Sequence, residues 1–101
     1  MPPGAPAFQK PRSGEIYAKL CSNDMTLILS GMKDLPFIAG DDQNILLAKA
    51  IEIPDDSVRL AAAKVVSRKR GPAALEMMKM LAADSSEIVR TFAEKALTLM
   101  K

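Results

Sequence analysis

The 101-residue sequence has no histidine and no tryptophan, and its aromatic residues are three phenylalanines and one tyrosine. Without histidine, the chain lacks the side chain that most often serves as general base or metal ligand near neutral pH. It contains neither a glycine-rich phosphate loop nor a nucleophile elbow. Because aromatic residues make up only 4% of the chain, aliphatic side chains, alanine and methionine must fill the interior. The composition therefore predicts a non-catalytic helical protein without cofactor or metal.

Cysteine occurs once, at Cys21, which excludes an internal disulfide and a cysteine-based zinc site. Its neighbours Leu20 and Ser22 supply no activating base, so we predict a small core residue rather than a nucleophile. No apolar run approaches the ~18 residues that a membrane span requires. The first residues also lack the apolar segment of a secretory signal. We expect a cytoplasmic protein that does not associate with membranes.

Charge is distributed unevenly around a net value of +2. Residues 15–56 hold eight acidic and three basic residues, whereas residues 57–101 hold nine basic and four acidic residues. The two parts therefore carry net charges of −5 and +5. Such polarity steers charged partners toward one end of a molecule and favours head-to-tail self-association.

Proline is concentrated in residues 1–14, which contain four of the seven prolines. We predict a flexible tail over these residues that forms neither a helix nor core, with Phe8 as its one apolar anchor. Residues 15–101 show helical periodicity and no strand alternation, and we expect them to form one helical repeat domain. Turn residues divide this domain into six helical segments, at about 14–21, 24–34, 42–53, 56–70, 72–83 and 86–100.

Two of these boundaries carry local signals. Asp84 and Glu87 have the spacing of a capping box, which satisfies free amides at the start of a helix. Gly71 followed by Pro72 indicates the end of one helix and the first position of the next.

Two segments share much the same order of residue types: "PDDSVRLAAAKVV" begins at Pro54, and "DSSEIVRTFAEKAL" begins at Asp84. A shift of 31 residues aligns Val58-Arg59 with Val89-Arg90, and the same shift relates Asp24 to Asp55. A period near thirty residues, made of two helices, is typical of solenoids. We predict an all-α fold, a short right-handed α-solenoid of about three helix pairs. Two columns should line its core, a large one of Leu27, Val58 and Val89 and a small one of Gly31, Ala62 and Ala93.

The sequence over about residues 44–100 resembles HEAT-like repeats, in particular the short form of about thirty residues found in phycobilin-lyase-type proteins. Asp84, Val89-Arg90 and Ala93 carry the resemblance, together with Val58-Arg59 and Ala62. It implies that Arg59 and Arg90 pack between repeats and bind carboxylates in the turns. It also implies a concave binding face on the second helix of each pair. Because such repeats serve many tasks, the resemblance says little about function.

The predicted binding face lies opposite the core column. It would contact a protein partner, although an ordinary solvated helix face would show the same pattern. The matching arginines Arg59 and Arg90 could also line a groove for an acidic partner. We therefore expect an adaptor, chaperone, inhibitor or assembly subunit. The candidate partner-binding residues are Leu60, Lys64, Arg68, Thr91, Lys95 and Thr98.

The only dense basic cluster consists of Arg68, Lys69 and Arg70. It is a candidate anion site and supports nucleic-acid binding as an alternative function. The simpler interpretation is that these cations close the C-terminus of a helix. A lyase-like accessory enzyme is a further alternative that rests on the resemblance alone. The last helix has no polar stop signal, which favours a homodimer through that helix or a longer array.

Overall fold

The computed structural model describes residues 7–100, and the regular structure in this range is entirely helical. The predicted all-α class is therefore confirmed for these residues. None of the helices within 7–100 combines the length and apolarity needed to cross a bilayer. The chain divides into two compact units, Met1–Lys49 and Ala50–Lys101. Within residues 7–100 the helices are α1 (Pro11–Leu20), α2 (Met25–Asp34), α3 (Asp41–Ala50), α4 (Asp56–Val66), α5 (Pro72–Ala82) and α6 (Glu87–Met100), with a 3-10 turn at Leu35–Phe37.

In the first unit, α1 packs closely against α2 at Gly31. A β-carbon at this glycine would lie 3.3 Å from the Cβ of Lys19 and 3.5 Å from the main-chain oxygen of Ile16. The missing side chain lets the two helices approach, and Gly31 is buried as the small column predicts. Ala62 and Ala93, the other members of that column, are fully buried as well.

The large column is wrong at its first member. Val58 and Val89 are fully buried, but 43% of Leu27 is exposed. The neighbouring Ile28 takes the core position, because the face of α2 that meets α1 is set by Gly31 and Met32. In a helix, residues three and four apart share a face. Ile28 is three residues before Gly31 and four before Met32, so it shares a face with both, whereas Leu27 is five residues from Met32 and lies to the side.

Helix α1 begins at Pro11, inside the segment that the sequence assigned to the tail. The prediction that residues up to 14 build neither helix nor core is wrong, because Ser13 is fully buried in α1. Proline at the first helical position explains the error. An N–H group at that position would have no helical partner, so proline loses nothing by lacking one. Phe8 stacks in a tilted arrangement on Tyr17, with ring centroids 5.6 Å apart. Residues 1–6 of the predicted tail lie outside the described residues.

Asp42, in the first turn of α3, holds the start of α1. Its carboxylate accepts hydrogen bonds from the N–H groups of Gln9 (3.0 Å) and Lys10 (3.2 Å) and from the hydroxyl of Ser13 (2.7 Å). The bond from Gln9 and then that from Ser13 hold the pKa of Asp42 below its ordinary value. These contacts span about thirty residues of sequence and have no local signal, so the sequence did not predict them.

Substituting Asp42→Asn should lower the melting temperature at pH 7, because one acceptor oxygen and the negative charge are lost. The folded pKa of Asp42 lies below that of an unfolded aspartate, so its stabilising effect is complete above pH 3.8 and disappears as the pH falls through the folded pKa. The difference between wild type and variant in thermal melts should therefore shrink below that pH. Asp41→Asn, at the exposed neighbouring position, is the control. Equal melting temperatures of wild type and Asp42→Asn at neutral pH would contradict this role.

The second unit contains α4, α5 and α6, with α6 packed against both other helices. Asp55 is the N-cap of α4, and its carboxylate accepts hydrogen bonds from the N–H groups of Ser57 (2.9 Å) and Val58 (3.2 Å). Asp24 caps α2 in the same way through the N–H of Thr26. The predicted equivalence of Asp24 and Asp55 is confirmed. It places Val58 in the first turn of α4, where the side chain is fully buried.

Candidate functional site

Arg59 joins the start of α4 to the turn between α5 and α6. Its guanidinium donates to both carboxylate oxygens of Asp84, at 2.8 Å and 3.0 Å. It also donates to the main-chain oxygen of Ile53 at 2.8 Å. The side chains of Arg59 and Asp84 are only 12% and 11% exposed, so water screens this pair weakly. The resemblance to HEAT-like repeats implied an arginine that binds a carboxylate in a turn, and Arg59 binds Asp84 in this way.

Arg90 repeats one half of this arrangement. Its guanidinium donates to the main-chain oxygen of Asp84 at 3.0 Å, six residues before it, as that of Arg59 donates to Ile53. The shift of 31 residues therefore relates contacts as well as residue types. Arg90 differs in having main-chain oxygens, those of Asp84 and Ser85, as its hydrogen-bond acceptors.

Asp84 does not act as the predicted capping-box residue. Its own N–H donates to the oxygen of Leu81, and its carboxylate accepts from the N–H of Ser86 at 2.9 Å as well as from Arg59. Burial alone would raise the pKa of Asp84, but the hydrogen bond from Arg59 and that from Ser86 outweigh it and lower the pKa. The hydrogen bond to Asp84 likewise raises the pKa of Arg59. Both groups are therefore charged at neutral pH, and together they fix the turn that precedes α6.

A shallow surface depression of about 430 Å³ lies between α4 and α6, and we call it the lysine groove. Four of the six predicted partner-binding residues meet in it, and Lys64 and Lys95 are equivalent under the 31-residue shift. Both lysines are exposed, and 63% of Ile88 is exposed. The lining residues are Leu60, Lys64, Glu87, Ile88, Thr91, Phe92 and Lys95.

A second depression of about 810 Å³ lies beside the loop between α4 and α5, and we call it the basic pocket. Helix α4 ends at Val66, so Gly71 does not mark its end as predicted and instead precedes α5 as its N-cap. The N–H groups of Arg68 and Lys69 donate to the oxygens of Val65 and Val66, so the basic cluster directly follows the C-terminus of α4. These residues lie in the loop that Gly71 ends with a φ of 101°, a conformation that glycine tolerates. Pro72 then opens α5 as predicted. The basic rim comprises Arg68, Lys69, Arg70 and Lys95, and the apolar lining includes Leu75, Phe92, Ala96, Leu99 and Met100.

The structure thus separates the six predicted residues. Leu60, Lys64, Thr91 and Lys95 line the lysine groove, and Arg68 lines the basic pocket instead. Thr98 lines neither depression, and its hydroxyl donates to the main-chain oxygen of Glu94 at 3.2 Å. Sequence reasoning did not include Ile88, Phe92 and Leu99 in the binding face, because it took that face only from residues opposite the core column. Their spacing beside the core residues Val89 and Ala93 was the available signal.

Cys21 is a free, exposed residue after the end of α1, so the prediction of a core cysteine is wrong. Among residues 7–100, no group of three or more cysteine or acidic side chains is arranged to hold a metal ion. No protein-family model, curated protein or solved structure matches this chain.

Proposed function

We propose that this protein is a non-catalytic protein-interaction module that binds an acidic surface of a partner protein in the lysine groove. The observation that carries the proposal is the position of Lys64 and Lys95. These two equivalent lysines flank one apolar depression on α4 and α6. Neither forms an ion pair within residues 7–100. Both charges therefore remain available to carboxylates of a partner.

The lysine groove suits a protein surface better than a small molecule. Small-molecule sites commonly bury most of their ligand in a concave cavity, whereas this depression is shallow and its apolar residue Ile88 projects into solvent. Exposed apolar side chains rimmed by charge are typical of protein interfaces.

The proposal includes the HEAT-like solenoid of about three helix pairs. Its support is the equivalence of Val58-Arg59 with Val89-Arg90. Both valines are fully buried, and each arginine donates to the main-chain oxygen of the residue six positions before it. In such repeats the second helices form the binding face, and α4 and α6 would hold that position. A cytoplasmic location also stays part of the proposal, since a reducing compartment suits the free thiol of Cys21.

Reversing both lysine charges, by Lys64→Glu with Lys95→Glu, should abolish partner binding while leaving helicity unchanged. Repulsion then replaces attraction for an acidic surface, and we expect at least about a tenfold loss of affinity. The measurement is quantitative affinity capture from the native cell, followed by binding curves for each purified protein retained.

The matched control is Lys33→Glu with Lys79→Glu, which makes the same charge change at exposed positions on α2 and α5, outside the groove. Partners retained by wild type and by this control, but lost with the groove variant, identify the interaction. An identical set of proteins with all three forms would remove the lysine groove as the binding face.

A further inference from the structure

We infer that the partner presents an amphipathic helix, whose apolar stripe lies along α6 and whose acidic end lies over the basic pocket. This inference rests on the proposed function and adds the shape and charge pattern of the bound segment.

The lysine groove and the basic pocket form one continuous surface, because Phe92 and Lys95 line both. Along α6 the surface follows Ile88, Phe92, Lys95 and Leu99, which are spaced four, three and four residues apart. This spacing keeps all four on one side of the helix. From Ile88 to Leu99 the stripe is about 16 Å long, a length that roughly eleven residues of a second helix would match.

Helix α6 therefore has two apolar stripes. Val89, Ala93 and Ala96 face the core, while Ile88 and Leu99 on the neighbouring stripe are 63% and 87% exposed. Only the first stripe packs into the core. When a helix binds in a groove, its apolar residues at such spacings contact the groove. The second stripe of α6 therefore suits the apolar face of a partner helix that lies along α6.

Charge distinguishes the two ends of this surface. The lysine groove has Glu87 beside its lysines, whereas the basic pocket is lined by Arg68, Arg70 and Lys95 and, in the part of the chain that the structure describes, by no acidic residue. Arg68, Arg70 and Lys95 form no ion pair within residues 7–100. A complementary segment therefore carries its acidic residues at the end that covers the loop. Such complementarity sets register and suppresses wrong partners.

A single-stranded nucleic acid fits this surface less well. Binding proteins for single strands combine a positive groove along the whole backbone with several stacking aromatics. Here Glu87 places a negative charge at one end, and Phe92 is the one aromatic residue lining either depression.

The test uses fluorescein-labelled synthetic peptides of about fourteen residues with leucines at the spacing of the α6 stripe. Two versions carry glutamates in the first or the last turn, which covers both directions of the bound helix, and a scrambled peptide has the same composition. In anisotropy titrations we expect one version to bind at least about tenfold more tightly than the scrambled peptide. Arg68→Glu with Arg70→Glu should weaken that binding by a similar factor, whereas Lys33→Glu with Lys79→Glu should not.

Several results would overturn the inference. Neither peptide binding better than the scrambled one would do so, as would tighter binding of an oligothymidylate of similar length. A dimer in sedimentation that dissociates on Leu99→Ser would assign the stripe to a second copy instead. If the capture experiment identifies a partner that the tighter peptide does not displace, the helix is wrong while the proposed function stands. Unchanged helicity by circular dichroism shows that each variant remains folded.

Discussion

Arg59→Ala is expected to destabilise the protein by about 3 kcal/mol, because it leaves the carboxylate of Asp84 without its cation in a poorly hydrated turn. Two charge-assisted hydrogen bonds to Asp84 and one to the oxygen of Ile53 disappear together. Asp84 then retains the N–H of Ser86 and must be hydrated by local opening. Urea denaturation followed by circular dichroism measures the loss as a lower midpoint.

Arg90→Ala is the matched control, since Arg90 occupies the equivalent position and donates only to main-chain oxygens. We expect a loss of about 1 kcal/mol there. The double variant Arg59→Ala with Asp84→Ala should cost less than the sum of the two single variants, because removing the second partner also removes an unpaired charge. Equal effects of Arg59→Ala and Arg90→Ala would show that the pair with Asp84 adds nothing to stability.

The same ion pair predicts how stability depends on pH. The folded pKa of Asp84 lies below that of an unfolded aspartate, so the unfolded chain binds its proton first as the pH falls. The stabilisation is therefore complete above pH 3.8 and is lost as the pH falls through the folded pKa. The free energy of unfolding of Arg59→Ala should therefore fall less than that of the wild type as the pH is lowered from above 3.8 through the folded pKa of Asp84.

Gly31→Leu is expected to lower the free energy of unfolding by about 3 kcal/mol through overpacking. Its first side-chain carbon would already lie 3.3 Å from the Cβ of Lys19 and 3.5 Å from the oxygen of Ile16. The remaining carbons would force α1 away from α2, and the burial of Ile16 and Leu20 would suffer. Chemical denaturation again provides the measurement.

Two further variants separate packing from helix propensity. Gly31→Ala gains about 1 kcal/mol of helix propensity, which the close contact with Lys19 should offset to leave a small net change. Lys33→Leu places the same leucine on the exposed side of α2 and should be nearly neutral. If Gly31→Leu proved as stable as the wild type, α1 and α2 would not be in close contact at this position.

The sequence predicted the helices well where proline, glycine and aspartate mark their ends. Asp24 and Asp55 cap α2 and α4 as their shared position in the repeat indicates, and Pro72 opens α5. It failed at Pro11, because a proline-rich composition describes a disordered tail and the first turn of a helix equally well.

Contacts distant in sequence were harder to predict. The bonds from Gln9 and Ser13 to Asp42 leave no periodic trace, because each of these residues looks like an ordinary surface residue in its own segment. The repeat did indicate that Lys64 and Lys95 share a face, and both line the lysine groove. Ile88 and Leu99 were not assigned to the binding face, because hydrophobicity alone does not say which of two adjacent stripes on α6 meets the core and which meets a partner.

Cys21 has a practical consequence, since it is the sole thiol and it is exposed. A maleimide dye or a nitroxide will attach at one defined position without any engineered cysteine. In air, the same thiol will oxidise and link two molecules covalently, far in sequence from the groove residues. Measurements of self-association therefore need a reductant or Cys21→Ser, so that covalent dimers are not counted as an interface.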